Sequence, residues 1–112
     1  MDKLEKFRQI VQKVLLPYCD IRYANGDFKN KPVFDRENDS YLIVSQGWEK
    51  NGKRHHDCLI DIEIRNGKLW IQCDGTPDGI ANELEQNGIK KSEIVLAFHE
   101  PEVRKFTEYA VA

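Results

Sequence analysis

No apolar run in this 112-residue sequence approaches the ~18–20 residues that cross a bilayer as a helix, so no membrane role is expected. The opening Met1-Asp2-Lys3-Leu4-Glu5-Lys6 is charged and leads into no apolar signal-type stretch, which makes the cytoplasm the expected compartment. Cysteine is scarce: three residues cannot all pair within the chain, and a secreted disulfide framework is not expected. Neither sign of charge dominates. Seventeen Lys+Arg stand against nineteen Asp+Glu, a net charge of −2, which weighs against a chain devoted to neutralising phosphate. Gly-x-Ser-x-Gly, Gly-x-x-x-x-Gly-Lys and Gly-x-Gly-x-x-Gly are all missing, so neither a nucleophile elbow nor a glycine-rich phosphate loop is encoded. No repeat, low-complexity tract or linker divides the chain. Its length fits one domain of ~100–200 residues, residues 1–112, with a core that needs no staples.

What is present is patterning. Leu4, Phe7, Val11, Val14, Leu15, Tyr18 and Ile21 recur at steps of three and four, the apolar stripe of a helix buried on one side. Pro17 removes one bond of that helix, and because the stripe keeps its register beyond it, a bent helix is predicted. Asn25-Gly26-Asp27 and Asn30-Lys31-Pro32 read as turn chemistry, leaving residues 21–32 irregular. Strands are predicted over 33–36, 41–49, 54–65 and 68–74. Asn51-Gly52 and Asn66-Gly67 supply the hairpin turns of an antiparallel meander. Thr76 is placed to cap a second helix with Pro77 at its first position, and Gly88 to end it. Residues 94–98 form a continuous apolar run, a fifth strand buried on both sides. Pro101 opens a short last helix with Val103, Phe106 and Ala110 inward, and the uncharged tail is expected to dock. The fold class is therefore α+β, a bent amino-terminal helix on a mainly antiparallel five-stranded sheet.

Two-residue turns fix the pairing. Lys50 facing Lys53 sets Ile43 opposite Ile60 and Ser45 opposite Cys58. Arg65 facing Lys68 sets Ile62 opposite Ile71 and Ile60 opposite Cys73. Both turns then agree on one buried face: Tyr41, Ile43, Cys58, Ile60, Ile62, Ile64, Leu69, Ile71 and Cys73. The other face carries Leu42, Val44, Gln46, Trp48, His55, Asp57, Leu59, Asp61, Glu63, Trp70, Gln72 and Asp74. Five of these twelve are large and apolar, too many for a solvated face, so a helix or a second chain is expected to cover part of it.

Candidate chemistry is thin. His56, Cys58 and Cys73 would share the core face, but with isoleucine neighbours and no fourth ligand they read as packing rather than zinc. Asp61 and Glu63, two apart on one strand, read as a solvated face with Arg65 and Lys68 as partners. Lys50, Lys53, Arg54, His55 and His56 make the Asn51-Gly52 hairpin basic. Lys90-Lys91 adds a further pair, and Trp48 and Trp70 are candidate stacking platforms for nucleic acid.

Trp70-Ile71-Gln72-Cys73-Asp74-Gly75-Thr76, followed by Gly79-Ile80-Ala81-Asn82-Glu83-Leu84, Gly88-Ile89 and residues 94–99, forms an ordered set. With Pro101, Arg104, the ending Phe106-Thr107-Glu108-Tyr109-Ala110-Val111-Ala112, the opening Met1 to Ile10, Gly47-Trp48-Glu49 and Asn66-Gly67-Lys68, it resembles the XisI family across essentially the whole chain. Pro17 departs from the family's usual first helix. The resemblance implies a controlling factor for site-specific excision of the fdxN DNA element during cyanobacterial heterocyst development. The recombinase is a different protein, and a XisH-type companion of nuclease-like fold is usually encoded alongside. No catalytic residue and no cofactor carry over.

Three function classes follow. The first is a non-enzymatic adaptor acting through protein partners, a XisH-type companion and further copies of itself, with Leu42, Val44, Trp48, Trp70, Gln72 and Asp74 as the partner-binding candidates. The second is direct DNA binding through Lys50, Lys53, Arg54, His55, Lys90 and Lys91. The third is a divalent-cation-dependent hydrolase using Asp61, Glu63 and Asp74.

Overall fold

The computed structural model describes residues 2–112. Helix α1 (Lys3–Leu15) begins at Asp2, whose side chain accepts the Glu5 N–H at 2.8 Å and so satisfies one free donor of the first turn. Phe7, Val11, Val14 and Leu15 are its buried face, while Leu4 is 41% exposed. Pro17 does not bend the α-helix; it ends it. The chain tightens into a 3-10 helix, Leu16–Asp20, with the proline in its first turn, and Ile21 is extended and exposed. A missing N–H costs nothing in a first turn, which is why the proline marks a boundary rather than a kink.

Strand β1 (Gly26–Asp35) is much longer than the predicted 33–36 and takes in most of the segment read as irregular. It is the edge of the sheet, order β1-β2-β3-β4-β5, and an edge tolerates Pro32 because one side of the strand has no ladder to feed. β2 (Ser40–Glu49), β3 (Arg54–Arg65) and β4 (Lys68–Asp74) form the predicted meander. β5 (Ile94–Leu96) lies parallel to β4 after helix α2 (Ile80–Gln86). It stops short of the predicted Phe98, which is half exposed. A short helix α3 (Pro101–Arg104) follows, and the tail docks by pairing Ala110 with Val95.

The register differs from prediction at one end of the sheet, for a single physical reason repeated twice. The first hairpin closes on Glu49 and Lys53 around a three-residue loop with Gly52 at φ +87°, not on a two-residue turn. A bulge at Leu59 then restores Ile43 opposite Ile60, but Ser45 pairs with Asp57 rather than Cys58. The second hairpin is a two-residue turn with positive φ at Asn66 and Gly67, as expected, yet a second bulge at Gln72 pairs Ile60 with Asp74 rather than Cys73. Each bulge inverts the faces beyond it. His55 turns toward the helix side, Cys58 and Cys73 turn outward, and Asp74 turns inward.

The core lies between α1, α2 and the inner sheet face, with Tyr41, Ile43, Ile60, Ile62, Leu69, Ile71, Ile80, Leu84 and Ile94 fully buried. Predicted core members Cys58 and Cys73 are not in it: Cys58 is exposed and Cys73 half-buried. α2 starts at Ile80 with Gly79 as cap, not at Pro77. It ends as predicted at Gly88: the Gly88 N–H reaches the Glu85 carbonyl and the buried Ile89 N–H reaches that of Leu84. No helix of the described residues is long and apolar enough to cross a membrane.

Candidate functional site

The strand-to-helix corner explains the inversion of Asp74. Its carboxylate accepts the Thr76 N–H at 2.9 Å, the Thr76 hydroxyl at 2.6 Å and the Ile80 N–H at 2.8 Å. The carboxylate therefore does at α2 what Thr76 was predicted to do, and it is not a surface group open to a partner or a cation. Gly75 donates its N–H to the bulged Leu59 carbonyl at 2.8 Å, and a Cβ there would lie 3.1 Å from Leu59 Cδ1, so the two irregularities interlock.

Beyond the end of α1 a cleft of ≈ 360 Å³ opens on the inner face, lined by Tyr23, Ser45, His55, Leu59 and Gly75. His55 Nε2 lies 2.9 Å from the buried Ser45 Oγ, and the imidazole stacks on Phe28 at 3.9 Å between ring centres. Asp57 stands 3.7 Å from His55 Nδ1 with its side chain 72% exposed. The order serine, histidine, aspartate is that of an acyl-transfer triad, but 3.7 Å is not a hydrogen bond and a solvated carboxylate does not orient an imidazole. Ser45 and His55 form a polar pair satisfying each other at the cleft floor. Sequence reasoning missed this cleft because it set His55 on the opposite face; only the Leu59 bulge brings it to Ser45.

The outer face divides into two halves. Around β4 it is covered. Trp70 is 9% exposed, its indole N–H donates to the Arg65 carbonyl at 3.1 Å, and the Arg65 and Arg104 guanidiniums lie 4.0 and 5.7 Å from its ring centre. Arg104 also donates to the carbonyls of Ala97, His99 and Val111, which gathers the carboxy-terminal segment beside Trp70. The predicted covering of this face is thus met within the chain at Trp70. Around β1 and β2 the face is open: Trp48 is 56% and Val33 42% exposed, with Leu42, Val44 and Gln46 half-buried between them. Gln72, the bulge residue, is also half-buried.

The basic candidates separate. Lys50, Lys53 and Arg54 stand exposed at the first hairpin, and Arg54 lies 5.2 Å from the Trp48 ring centre. Lys90 and Lys91 precede β5, whose first residue pairs with Leu69, so they lie at the opposite end of the sheet. Lys91 is engaged there by Glu108 at 2.7 Å. Two of the three residues predicted to face inward from the last helix face solvent instead, Val103 at 41% and Phe106 at 82% exposure, while Ala110 is half-buried and pairs with Val95. A four-residue helix held by arginine–carbonyl bonds needs no apolar face of its own.

The carboxylates Asp61 and Glu63 share the outer face, with Glu63 paired to Arg65 at 3.2 Å. Burial raises the Asp61 carboxyl above the usual range, with Glu63 adding to it. Asp74 is on the inner side, so the three do not converge. No group of three or more metal-ligating side chains occurs among the described residues.

A family model described as XisI protein matches residues 1–111. The chain belongs to the XisI family. Two solved structures resemble this XisI-family chain over nearly its whole length. One is the fdxN element excision controlling factor XisI of Anabaena variabilis ATCC 29413, 33% identical, with a TM-score of 0.83 over 99% of this chain and 100% of that one. The other is a XisI-like protein of the same strain, 31% identical, with a TM-score of 0.86 over 97% and 99%. A comparison with curated proteins finds no match.

Proposed function

We propose that this XisI-family chain serves the control of fdxN element excision, the role named for its Anabaena relative, as a non-enzymatic adaptor that joins protein partners. The partner chemistry is that of a XisH-type companion with an apolar docking site. The observation that carries the reading is Phe106, a phenylalanine 82% exposed. Phe98, Val103 and Val111 flank it in sequence at 48, 41 and 47% exposure. Large apolar side chains left in water within one segment support a surface that another chain could cover. Arg104 bonds the backbone of that segment at Ala97 and His99, which lowers the backbone ordering needed at binding.

The test is co-expression with the XisH-type companion, followed by size-exclusion chromatography with light scattering. A joint complex is expected, and Phe106→Asp should abolish it while leaving the thermal unfolding midpoint unchanged. Trp48→Asp, on the open part of the sheet, serves as the comparison. Loss of the complex only in the Trp48 variant would move the docking surface there, and separate elution of the unmodified chains would sink the adaptor reading.

A further inference from the structure

The outer face at the β1–β2–β3 corner gathers a set of side chains that the sequence left scattered. Trp48 on β2 pairs in register with Arg54 on β3 and Asp27 on β1. One pair further along, Gln46 sits between Lys29 and His56, and the next, Val44, pairs with Lys31. Strands place directly paired residues on the same face, so indole, guanidinium, imidazole, amide and two ammonium groups share one open surface. All are exposed except the half-buried Gln46. Lys29 and Lys31 come to this surface only because β1 begins at Gly26, a segment that reads as loop in the sequence.

We infer that this corner binds single-stranded DNA. Three features select that ligand. First, Lys29, Lys31 and Arg54 carry three positive charges against the single carboxylate of Asp27, and none of the three has an acidic partner among the ion pairs of the described residues. Arg8, Arg36 and Arg65 are paired, while other cations such as Lys6, Lys13 and Arg22 also stand without an acidic partner among the described residues, so what distinguishes the corner is that its free cations are gathered around Trp48. Cations kept free of carboxylates suit a polyanion, and Lys50 and Lys53 at the adjoining loop extend the same charge. Second, Trp48 offers an exposed ring already held by Arg54, and an aromatic face set among cations is how single strands are gripped without sequence reading. Third, the surface is a sheet face rather than a projecting helix, so unpaired bases lie flat on it, whereas the stacked bases of a duplex present no face to the indole. Choosing DNA over RNA rests on the excision reading above; the stacking and charge argument does not. The chain would then hold a partner through its carboxy-terminal segment and a displaced strand through this corner.

The experiment is fluorescence anisotropy with labelled oligo-dT, run beside oligo-rU and a duplex of equal length, on the intact chain. Binding to oligo-dT is expected, with quenching of tryptophan emission. Trp48→Ala should weaken it at least tenfold. Lys29→Ala with Lys31→Ala should lower the slope of log affinity against log salt by about 1.4, two phosphate contacts at ~0.7 each. Phe106→Asp should bind as the unmodified chain does, which keeps failure of the adaptor reading distinct from failure here. Each variant lies on an exposed surface and is checked for an unchanged unfolding midpoint. No binding to oligo-dT overturns the inference, as does equal or tighter binding of oligo-rU or the duplex. Unaltered affinity in both Trp48→Ala and the double lysine variant overturns it as well.

Discussion

At Asp74 one carboxylate receives three hydrogen bonds and closes the corner between β4 and α2. Replacing it with alanine leaves the N–H of Ile80, a fully buried residue, without its side-chain partner. Charge-assisted bonds of this kind contribute ~1.5–3 kcal/mol, and an orphaned donor adds to the loss. Asp74→Ala is therefore expected to lower unfolding stability by about 2–4 kcal/mol in urea titration, with Thr76→Ala costing about 1 kcal/mol because only one of the three donors goes. A loss under half a kcal/mol for Asp74→Ala would refute its role as the cap. The sequence made Asp74-Gly75-Thr76 a strand-to-helix corner and was right about the corner. It assigned the capping to Thr76 because local rules see only the residue next to the helix. The carboxylate reaches Ile80 from six positions away because the Gln72 bulge turns it inward.

Elements were legible where pattern and turn chemistry agreed. β3 and β4 carry their predicted boundaries, and α1 begins where its stripe begins. Only the end of β1 was legible, as the predicted strand 33–36; the part before Val33 was not, because Asn30 and Pro32 resemble turn chemistry and Lys29 and Lys31 break the apolar pattern. Tertiary contact overrides this: Asn30 is buried, donating to the Tyr18 carbonyl at 2.7 Å, and the strand buries only Phe28 and Asn30. The pairing of β1 and β2 depends on Gly47. A Cβ there would fall 2.3 Å from the Asp27 carbonyl oxygen and 2.4 Å from Phe28 Cα, both backbone atoms that cannot swing aside. Gly47→Ala should then destabilise by about 2–3 kcal/mol through overpacking, whereas Gly52→Ala, with nothing within 4 Å, should cost about 1 kcal/mol for its left-handed backbone. Equal unfolding midpoints for the two variants would show that the close approach does not matter.

Across the whole molecule, the helix layer is tied to the sheet by charge as well as packing. Arg8 on α1 grips Asp39, before β2, with Nε–O and Nη–O distances of 2.6 and 3.1 Å, and Tyr41 donates to the same carboxylate at 3.2 Å. The Arg8 guanidinium holds the Asp39 carboxyl below the usual carboxylate range against the opposing effect of burial. In the unfolded chain that carboxyl titrates near ~3.9, so on acidification the unfolded state binds its proton first. The stability this pair contributes is therefore complete above about pH 5 and is lost as the pH falls through the lowered folded value. Asp39→Asn should cost about 1–2 kcal/mol at pH 7, and the gap to the unmodified chain should close near pH 2. Urea unfolding at the two pH values checks this, and a gap independent of pH would show that the effect is not the ion pair.

Taken alone, the sequence determined the α+β class, the meander, the end of α2 at Gly88 and the family, because these depend on periodicity, local turn residues and ordered short motifs. It did not determine which way the strand ends face. Side chains alternate with period two, so one inserted residue inverts every position beyond it, and a bulge leaves no mark in local pattern. The bulges at Leu59 and Gln72 put His55 against Ser45, Asp74 beneath α2 and the cysteines outward. The tertiary structure alone also decided that Trp70 is covered while Phe106 is not. The sequence set Trp70 on the outer face and Phe106 inward, and the folding back of the carboxy-terminal segment through Arg104 covers the first and leaves the second in solvent.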